Sequence, residues 1–298
     1  MLTDHRSASF PIPAVRPAGS TEAGVPTLAT NGAIVAYTDT GAPPGRPDAP
    51  TIVFGHGLLF SGWMFHPQIE ALSSSFRCVA IDWRGQGQSP PAAAYDMDAL
   101  YDDAVALIEH LEVGPVHWVG LSMGGFVGQR IGARRPGLLR SLVLLDTSAD
   151  REERSALVQD LALSVVYRLA GIAPVRRPVL KIMLGPAFRN DPASAPVIDE
   201  WMCQLEATDR AGLVGAIRAV ALRKAIRPEI GRIAAPTLVI VGADDVPTPV
   251  RKARAIAEAI PGARLEVVPE AGHSITIEQP VRVVELLSAF LGEVDVRD

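Results

Sequence analysis

The sequence predicts an α/β protein in which a mostly parallel sheet is flanked by helices, and three observations lead there. Short, nearly continuous apolar runs at 51–54, 77–82, 116–119, 141–145, 237–241 and 265–268 alternate with helix-compatible segments. That is the pattern of strands covered on both faces. In residues 116–128, VHWVGLSMGGFVG, a strand turns sharply into a helix at Ser122, with Gly120 and Gly124 two residues to either side. Finally, about 151–228 shows no strand signal and reads as helices alone, inserted after the sixth strand.

Taken in order, residues 1–26 are rich in Pro, Ala, Gly and Ser and read as a loose N-terminal arm. Asn31-Gly32 between alternating apolar flanks is a hairpin signal, which supplies the first two strands. Pro43, Pro44, Pro47 and Pro50 make the next stretch a loop. The third strand, 51–54, runs into Gly55-His56-Gly57, and the fourth, 77–82, into the loop 83–89. A helix follows with Leu100, Ala104, Leu107, Ile108 and Leu111 on one face and Asp98 as its expected cap. The serine-bearing strand is fifth and 141–145 sixth. In the helical stretch Leu157, Leu161, Val165 and Leu169 recur every four residues, while Pro174, Pro178, Pro186, Pro192 and Pro196 divide it into pieces. Its last helix, about 209–224, takes Thr208 as expected cap. Two strands with their helices (250–260 and 281–291) complete the chain. The expected organisation is a core of 27–150 and 229–298 with 151–228 as a cap over the C-terminal strand ends.

The 298 residues suffice for one large α/β domain or two modest ones, and 48% hydrophobic with 20% charged residues is the composition of a full globular core. A net charge of −5 without a basic block argues against nucleic acid as a partner. Cys78 and Cys203 lie far apart and form neither a metal pattern nor a disulfide framework, and Cys78, in a buried strand, reads as an inert core thiol. No run is long and apolar enough to span a membrane, and the first residues read as lacking an apolar signal core, so the expected compartment is the cytoplasm.

The turn at Ser122 carries the chemistry. A tight strand-to-helix turn crowds the neighbours of the serine, so glycine is required at 120 and 124, and the hydroxyl is lifted clear of the backbone. The Met123 amide then lies at a helix N-terminus, where partial positive charge favours a developing oxyanion. A serine hydroxyl needs a base within hydrogen-bond reach. Of His5, His56, His66, His110, His117 and His273, only His273 follows the last strand, on the edge where Ser122 emerges. His110 and His117 read as structural, and His56 as positioning. The orienting carboxylate is open among Asp244, Asp245 and Asp146, each at a strand end; a capped turn would equally explain the first two. The second oxyanion donor is expected from the loop after the third strand, at the Leu58 amide. Phe60, Trp63, Met64 and Phe65 read as pocket wall or packing.

These residues resemble the α/β-hydrolase superfamily, in its lid-bearing serine esterase/lactonase-like branch, over about 27–292. The likeness rests on His56-Gly57, on DWRGQGQS at 82–89, on GLSMGG at 120–125, and on Gly272-His273 with Glu278-Gln279-Pro280 beyond. The resemblance implies the α/β-hydrolase fold, the nucleophile–acid–base order Ser122, Asp245, His273, and Leu58 and Met123 as oxyanion hole. The family often places an aspartate three residues after a glycine and four before a proline, which Gly242, Asp245 and Pro249 match. It implies that the 82–89 loop supports the sheet edge, so neither Arg84 nor Ser89 is catalytic. Serine at the elbow argues against relatives with an aspartate nucleophile, and Ser274 against those that cleave carbon–carbon bonds, which often carry tryptophan there. A likeness to enol-lactone hydrolases extends over Gly120–Gly125 and Asp146-Thr147-Ser148.

The expected reaction is hydrolysis of a small to medium, fairly apolar carboxylic ester or lactone through an acyl-enzyme. It needs no metal or other cofactor, and the partner is a small-molecule substrate. Trp63, Phe126, Trp201 and Met202 are the candidate substrate contacts, with Leu161, Val165, Met183 and Phe188 as further lining. The competing expectations are a carbon–carbon hydrolase, acyltransferase or perhydrolase on the same side chains, or a ligand receptor with slow turnover.

Overall fold

In a computed structural model that describes residues 24–296, eight strands form one sheet in the order β1-β2-β4-β3-β5-β6-β7-β8. The arm expected at 1–26 lies, apart from its last three residues, outside the described residues. β1 (Thr27–Thr30) and β2 (Ala33–Asp39) form an antiparallel hairpin. Its turn is Asn31-Gly32, both at positive φ, the backbone that the right-handed twist of a two-residue hairpin requires. β2 pairs antiparallel with β4 (Arg77–Ile81), and every pairing beyond is parallel: β3 (Thr51–Gly55), β5 (Val116–Leu121), β6 (Leu139–Leu145), β7 (Thr237–Gly242) and β8 (Arg264–Val268).

Alternation along these strands sorts the core into two clusters. Phe54, Val119, Leu121, Val143 and Leu145 point to one face, where they meet Leu72 of α1 (His66–Leu72) and Val283, Leu287 and Leu291 of α11 (Pro280–Asp295). Val53, Val79, Trp118, Leu142 and Leu144 point to the other. There they meet α2 (Met97–Leu111), α3 (Met123–Arg134) and α9 (Val250–Ala259). A strand buried on both faces has no polar side to show, which is why these runs read as continuous apolar stretches.

Between β6 and β7 stand α4 (Arg154–Ala170), α5 (Arg176–Met183), α6 (Pro186–Asn190), α7 (Ala195–Ala207) and α8 (Arg210–Ala221). Prolines stand in the first turns of α6 and α7, where a missing N–H costs nothing. Tyr167, Met183, Trp201, Met202 and Leu205 continue the first core cluster, so these helices pack onto the sheet domain. The four-residue recurrence on α4 does not mark its inner face. Val165 is 57% and Leu169 77% exposed, whereas Ser164 and Tyr167 are buried. A strict spacing of four drifts around a helix of 3.6 residues per turn, so such a row cannot stay on one contact line.

Two caps differ from expectation by one or two residues. Asp96, not Asp98, accepts the Asp98 and Ala99 amides at the start of α2, because its extended backbone places the carboxylate over the first turn. Asp209, not Thr208, accepts the Gly212 amide for α8, while the Thr208 hydroxyl donates to Gln204 and closes α7. No helix among the described residues is long and apolar enough to cross a membrane.

Candidate active site

The parallel strands end along one edge, and the polar residues that follow β3, β5, β6, β7 and β8 gather there. Ser122 follows β5 at φ 50°, ψ −105°, a conformation rare outside glycine that costs on the order of 1–3 kcal/mol. The surroundings impose it. A Cβ on Gly120 would run into the Gly124 carbonyl, and one on Gly124 into the Gly55 carbonyl, so only glycine lets the three backbones approach. The Ser122 amide donates to the Leu145 carbonyl at 2.8 Å, and the Thr147 hydroxyl donates to the Ser122 carbonyl at 2.8 Å.

Ser122 Oγ lies 2.9 Å from His273 Nε2, and His273 Nδ1 lies 3.0 Å from Asp245 Oδ1. Asp245 is in turn held by Thr248, whose amide donates to Oδ1 at 3.0 Å and whose hydroxyl donates to Oδ2 at 2.6 Å. All three side chains are buried, with Ser122 5% exposed. Burial pushes the Asp245 carboxyl up. The charge and hydrogen bond of His273, with both Thr248 bonds, outweigh that and hold it below the ordinary carboxylate value. A charged acceptor at Nδ1 fixes the imidazole as the tautomer whose Nε2 accepts the serine proton.

The structure also separates the three aspartates that strand order leaves equivalent. Asp244 is exposed. Asp146, fully buried, does not reach His273; its Oδ1 accepts the Gly242 amide at 2.8 Å and its Oδ2 the Ile275 amide at 3.2 Å. It thus ties the loop that carries Asp245 to the turn that follows His273. Burial first, then the charge of nearby Asp245, drives its carboxyl well above the ordinary value. Glu278 does similar work on the other flank. Its carboxylate accepts the amides of Gly272 (2.9 Å), Ser274 (3.0 Å) and, from the inserted helices, Gly185 (2.8 Å). Thr248, Asp146 and Glu278 in these roles are absent from the sequence reading. The spacing Asp245-Val246-Pro247-Thr248 is the one local signal that could have shown the first.

Met123 opens α3 directly behind Ser122. The Leu58 segment lies beside it, since a Cβ on Gly57 would stand 3.6 Å from the Ser122 Cβ. His56 holds this segment from below: Nε2 accepts the Trp83 amide at 3.0 Å and Nδ1 donates to the Gly57 carbonyl at 2.7 Å. Complete burial, opposed only by that second bond, lowers its pKa to about 3, so it stays neutral and structural. His117 is likewise buried, with Ser141 Oγ at 2.8 Å. In the 82–89 loop Asp82 accepts the Gly62 and Gln88 amides at 2.7 and 2.9 Å, and Arg84 pairs with buried Asp103 at 2.6 Å, which is support rather than chemistry.

Of the candidate substrate contacts, Trp63, Trp201 and Met202 share the core cluster under the inserted helices. Phe126 does not; it belongs to the opposite cluster, with the Arg223 guanidinium 4.3 Å over its ring. Among the lining candidates Val165 points to solvent, the consequence of the drift on α4. Among the described residues no three His, Cys, Asp or Glu side chains converge as a metal site. Burial raises the Cys78 thiol to about 12, which leaves it unreactive.

The arrangement can deprotonate an alcohol with a neutral imidazole and stabilise the imidazolium that results. Comparison with known proteins finds hydrolases among those similar to the chain. The chain is 30% identical to 3-oxoadipate enol-lactonase 2 of Acinetobacter baylyi over 79% of its own length and 86% of that protein. It is also 30% identical to BpoC of Mycobacterium tuberculosis, provisionally named a non-heme bromoperoxidase, over 87% of this chain and 98% of that one. A thermophilic esterase from Thermogutta terrifontis superposes with a TM-score of 0.80 at 29% identity, covering 90% of this chain and 97% of the other. The family model for the α/β-hydrolase fold matches residues 50–280, and the chain belongs to that family.

Proposed function

We propose that the protein is a serine hydrolase that cleaves a small to medium, fairly apolar carboxylic ester or lactone through an acyl-enzyme. One observation carries the reading: the unbroken relay from Ser122 Oγ to His273 Nε2 and from Nδ1 to Asp245, at 2.9 and 3.0 Å. Ser122 Oγ attacks the carbonyl carbon while His273 takes its proton. The oxyanion is met by the Met123 and Leu58 amides. His273 then protonates the leaving oxygen, which departs as the alcohol, or stays tethered if the substrate is a lactone. Water, deprotonated by the same imidazole, attacks the acyl carbon and the proton returns to Ser122 as the acid is released. Asp245 keeps the imidazole oriented and balances its charge. The scheme uses protein groups alone. Residues 151–228 act in it as a cap that excludes water, the partner is a small molecule, and the cytoplasm is the expected compartment.

The relatives named for lactone and ester chemistry favour this reading. The similarity to BpoC favours a second, in which hydrogen peroxide replaces water at the acyl-enzyme and the product is a peracid. A fluorophosphonate probe is expected to label Ser122 in the folded protein, and Ser122→Ala to lose at least about 10³ in ester turnover. Unlabelled Ser122, or turnover retained in the alanine variant, would remove the proposal. Peracid formation from short carboxylic acids with added peroxide separates the second reading.

A further inference from the structure

We infer that Trp201, reaching down from inserted helix α7, positions the Leu58 oxyanion donor, so that docking of the cap completes the oxyanion hole. The inference rests on the hydrolase reading above and concerns how its site is assembled.

The starting point is Leu59, the residue that follows the donor. Its φ is +71°, a left-handed backbone that a branched side chain adopts only under constraint. Both of its backbone polar groups are held. The Leu59 amide donates to Gln86 Oε1 at 2.9 Å, and the Leu59 carbonyl accepts the Trp201 indole N–H at 2.8 Å. One partner belongs to the sheet domain, in the loop after β4. The other belongs to the inserted helices, 142 residues away in sequence. One residue before the donor, the Gly57 amide rests on Met64 Sδ at 3.4 Å, so the chain is gripped on both sides of Leu58.

Packing beneath Leu59 does not substitute for these bonds. A cavity of about 20 Å³, lined by Leu59, Phe60, Trp63, Gln86 and Gln204 among others, lies against the segment. The Gln86 Nε2 is buried there without a partner. That atom cannot take the place of Oε1, which the Leu59 amide requires as an acceptor, so the amide orientation is set. The indole is fixed independently. It is 2% exposed and stacks on Phe60 with centroids 4.5 Å apart and planes 8° from parallel. The choice of tryptophan is therefore informative: phenylalanine would stack as well and fill most of the space, but only the indole has a donor for the Leu59 carbonyl.

The two oxyanion donors consequently have different dependences. Met123 is built into the sheet domain at the start of α3. Leu58 is held in register from above by α7. A cap displaced from the site would release the Leu59 carbonyl and leave a half-built hole. Trp201 is in this sense a positioning residue, and its indole N–H is engaged by the protein rather than free for substrate.

The test compares Trp201→Phe with wild type on a nitrophenyl ester. The variant keeps the ring and deletes the donor. kcat is expected to fall roughly tenfold, less than the 10²–10³ for outright loss of a donor, with KM nearly unchanged. Affinity for a trifluoromethyl ketone, whose adduct carries the oxyanion, should weaken in parallel, and the pH dependence of kcat/KM should not move. Gln86→Met frees the same residue from the other side and should give the same signature should the tryptophan variant fold poorly. Turnover and ketone affinity within twofold of wild type in a folded variant would overturn the inference, as would a raised KM at full kcat, which would make Trp201 a substrate wall. Failure of Ser122 labelling in the wild type would instead overturn the hydrolase reading, and this inference with it.

Discussion

Replacing Asp245 by asparagine removes one charge and leaves every other atom nearly in place, and the surroundings of the carboxylate set how much should follow. Oδ1 accepts the Thr248 amide and faces His273 Nδ1, both at 3.0 Å, so the asparagine carbonyl must occupy that position. Its NH2 group then meets the Thr248 hydroxyl, which donates to Oδ2 at 2.6 Å in the native protein and can rotate to accept instead. The imidazole should therefore keep its Nδ1–H tautomer. What is lost is the attraction between a carboxylate and the imidazolium formed in the transition state. Two unit charges about 4 Å apart at an effective dielectric near 20 attract by roughly 4 kcal/mol, and the amide dipole retains part of that. A fall of about 10²–10³ in kcat follows, smaller than the ~10⁴ seen where asparagine forces the wrong tautomer. Steady-state kcat on a nitrophenyl ester between pH 6 and 9 measures the loss, and nitrogen-15 spectra of the histidine report the tautomer. A loss under tenfold would refute the role of Asp245. A loss near 10⁴ with the proton on Nε2 would refute the reasoning about Thr248.

Two further outcomes follow from the same geometry. Gly124→Ala drives a Cβ into the Gly55 carbonyl, backbone against backbone, and should destabilise by at least about 3 kcal/mol in urea unfolding; near-normal stability would show that the elbow relaxes easily. His56 titrates at about 3 when folded, because of its burial, against roughly 6.5 unfolded. Between those values the unfolded chain binds more protons, so its stabilising contribution is complete above about pH 6.5 and lost as pH falls towards 3. In His56→Gln the rise of unfolding free energy from pH 4 to 6 should flatten by about 1.4 kcal/mol per pH unit, and an unchanged slope would mean that His56 is not kept neutral.

What could be read in advance divides according to how local the physics is. The hairpin at Asn31-Gly32, the turn at Ser122 and the alternation of strands and helices rest on backbone sterics and burial within a few residues, and they stand where expected. Caps are local too, yet Asp96 and Asp209 sit close to rival candidates at 98 and 208. Which one caps depends on the φ/ψ of a single residue. The row of apolar residues on α4 misled because a spacing of four fixes no face over seventeen residues.

The sequence by itself determined the parallel sheet, the inserted helices and the serine turn, since glycine at 120 and 124 and apolar strands leave the backbone no comparable alternative. It also put a histidine and three aspartates at strand ends on one edge. Strand position left those carboxylates equivalent and the family spacing favoured Asp245; only the tertiary structure shows how they differ, because that turns on side-chain reach over a few ångströms: Asp245 meets His273 at 3.0 Å, Asp146 turns to two backbone amides, and Asp244 faces solvent. The same holds for Trp201, bound to the Leu59 carbonyl 142 residues away, and for Glu278 where it reaches the Gly185 amide. Contacts of that kind exist only once the chain has closed on itself, and no pattern along the chain encodes them separately.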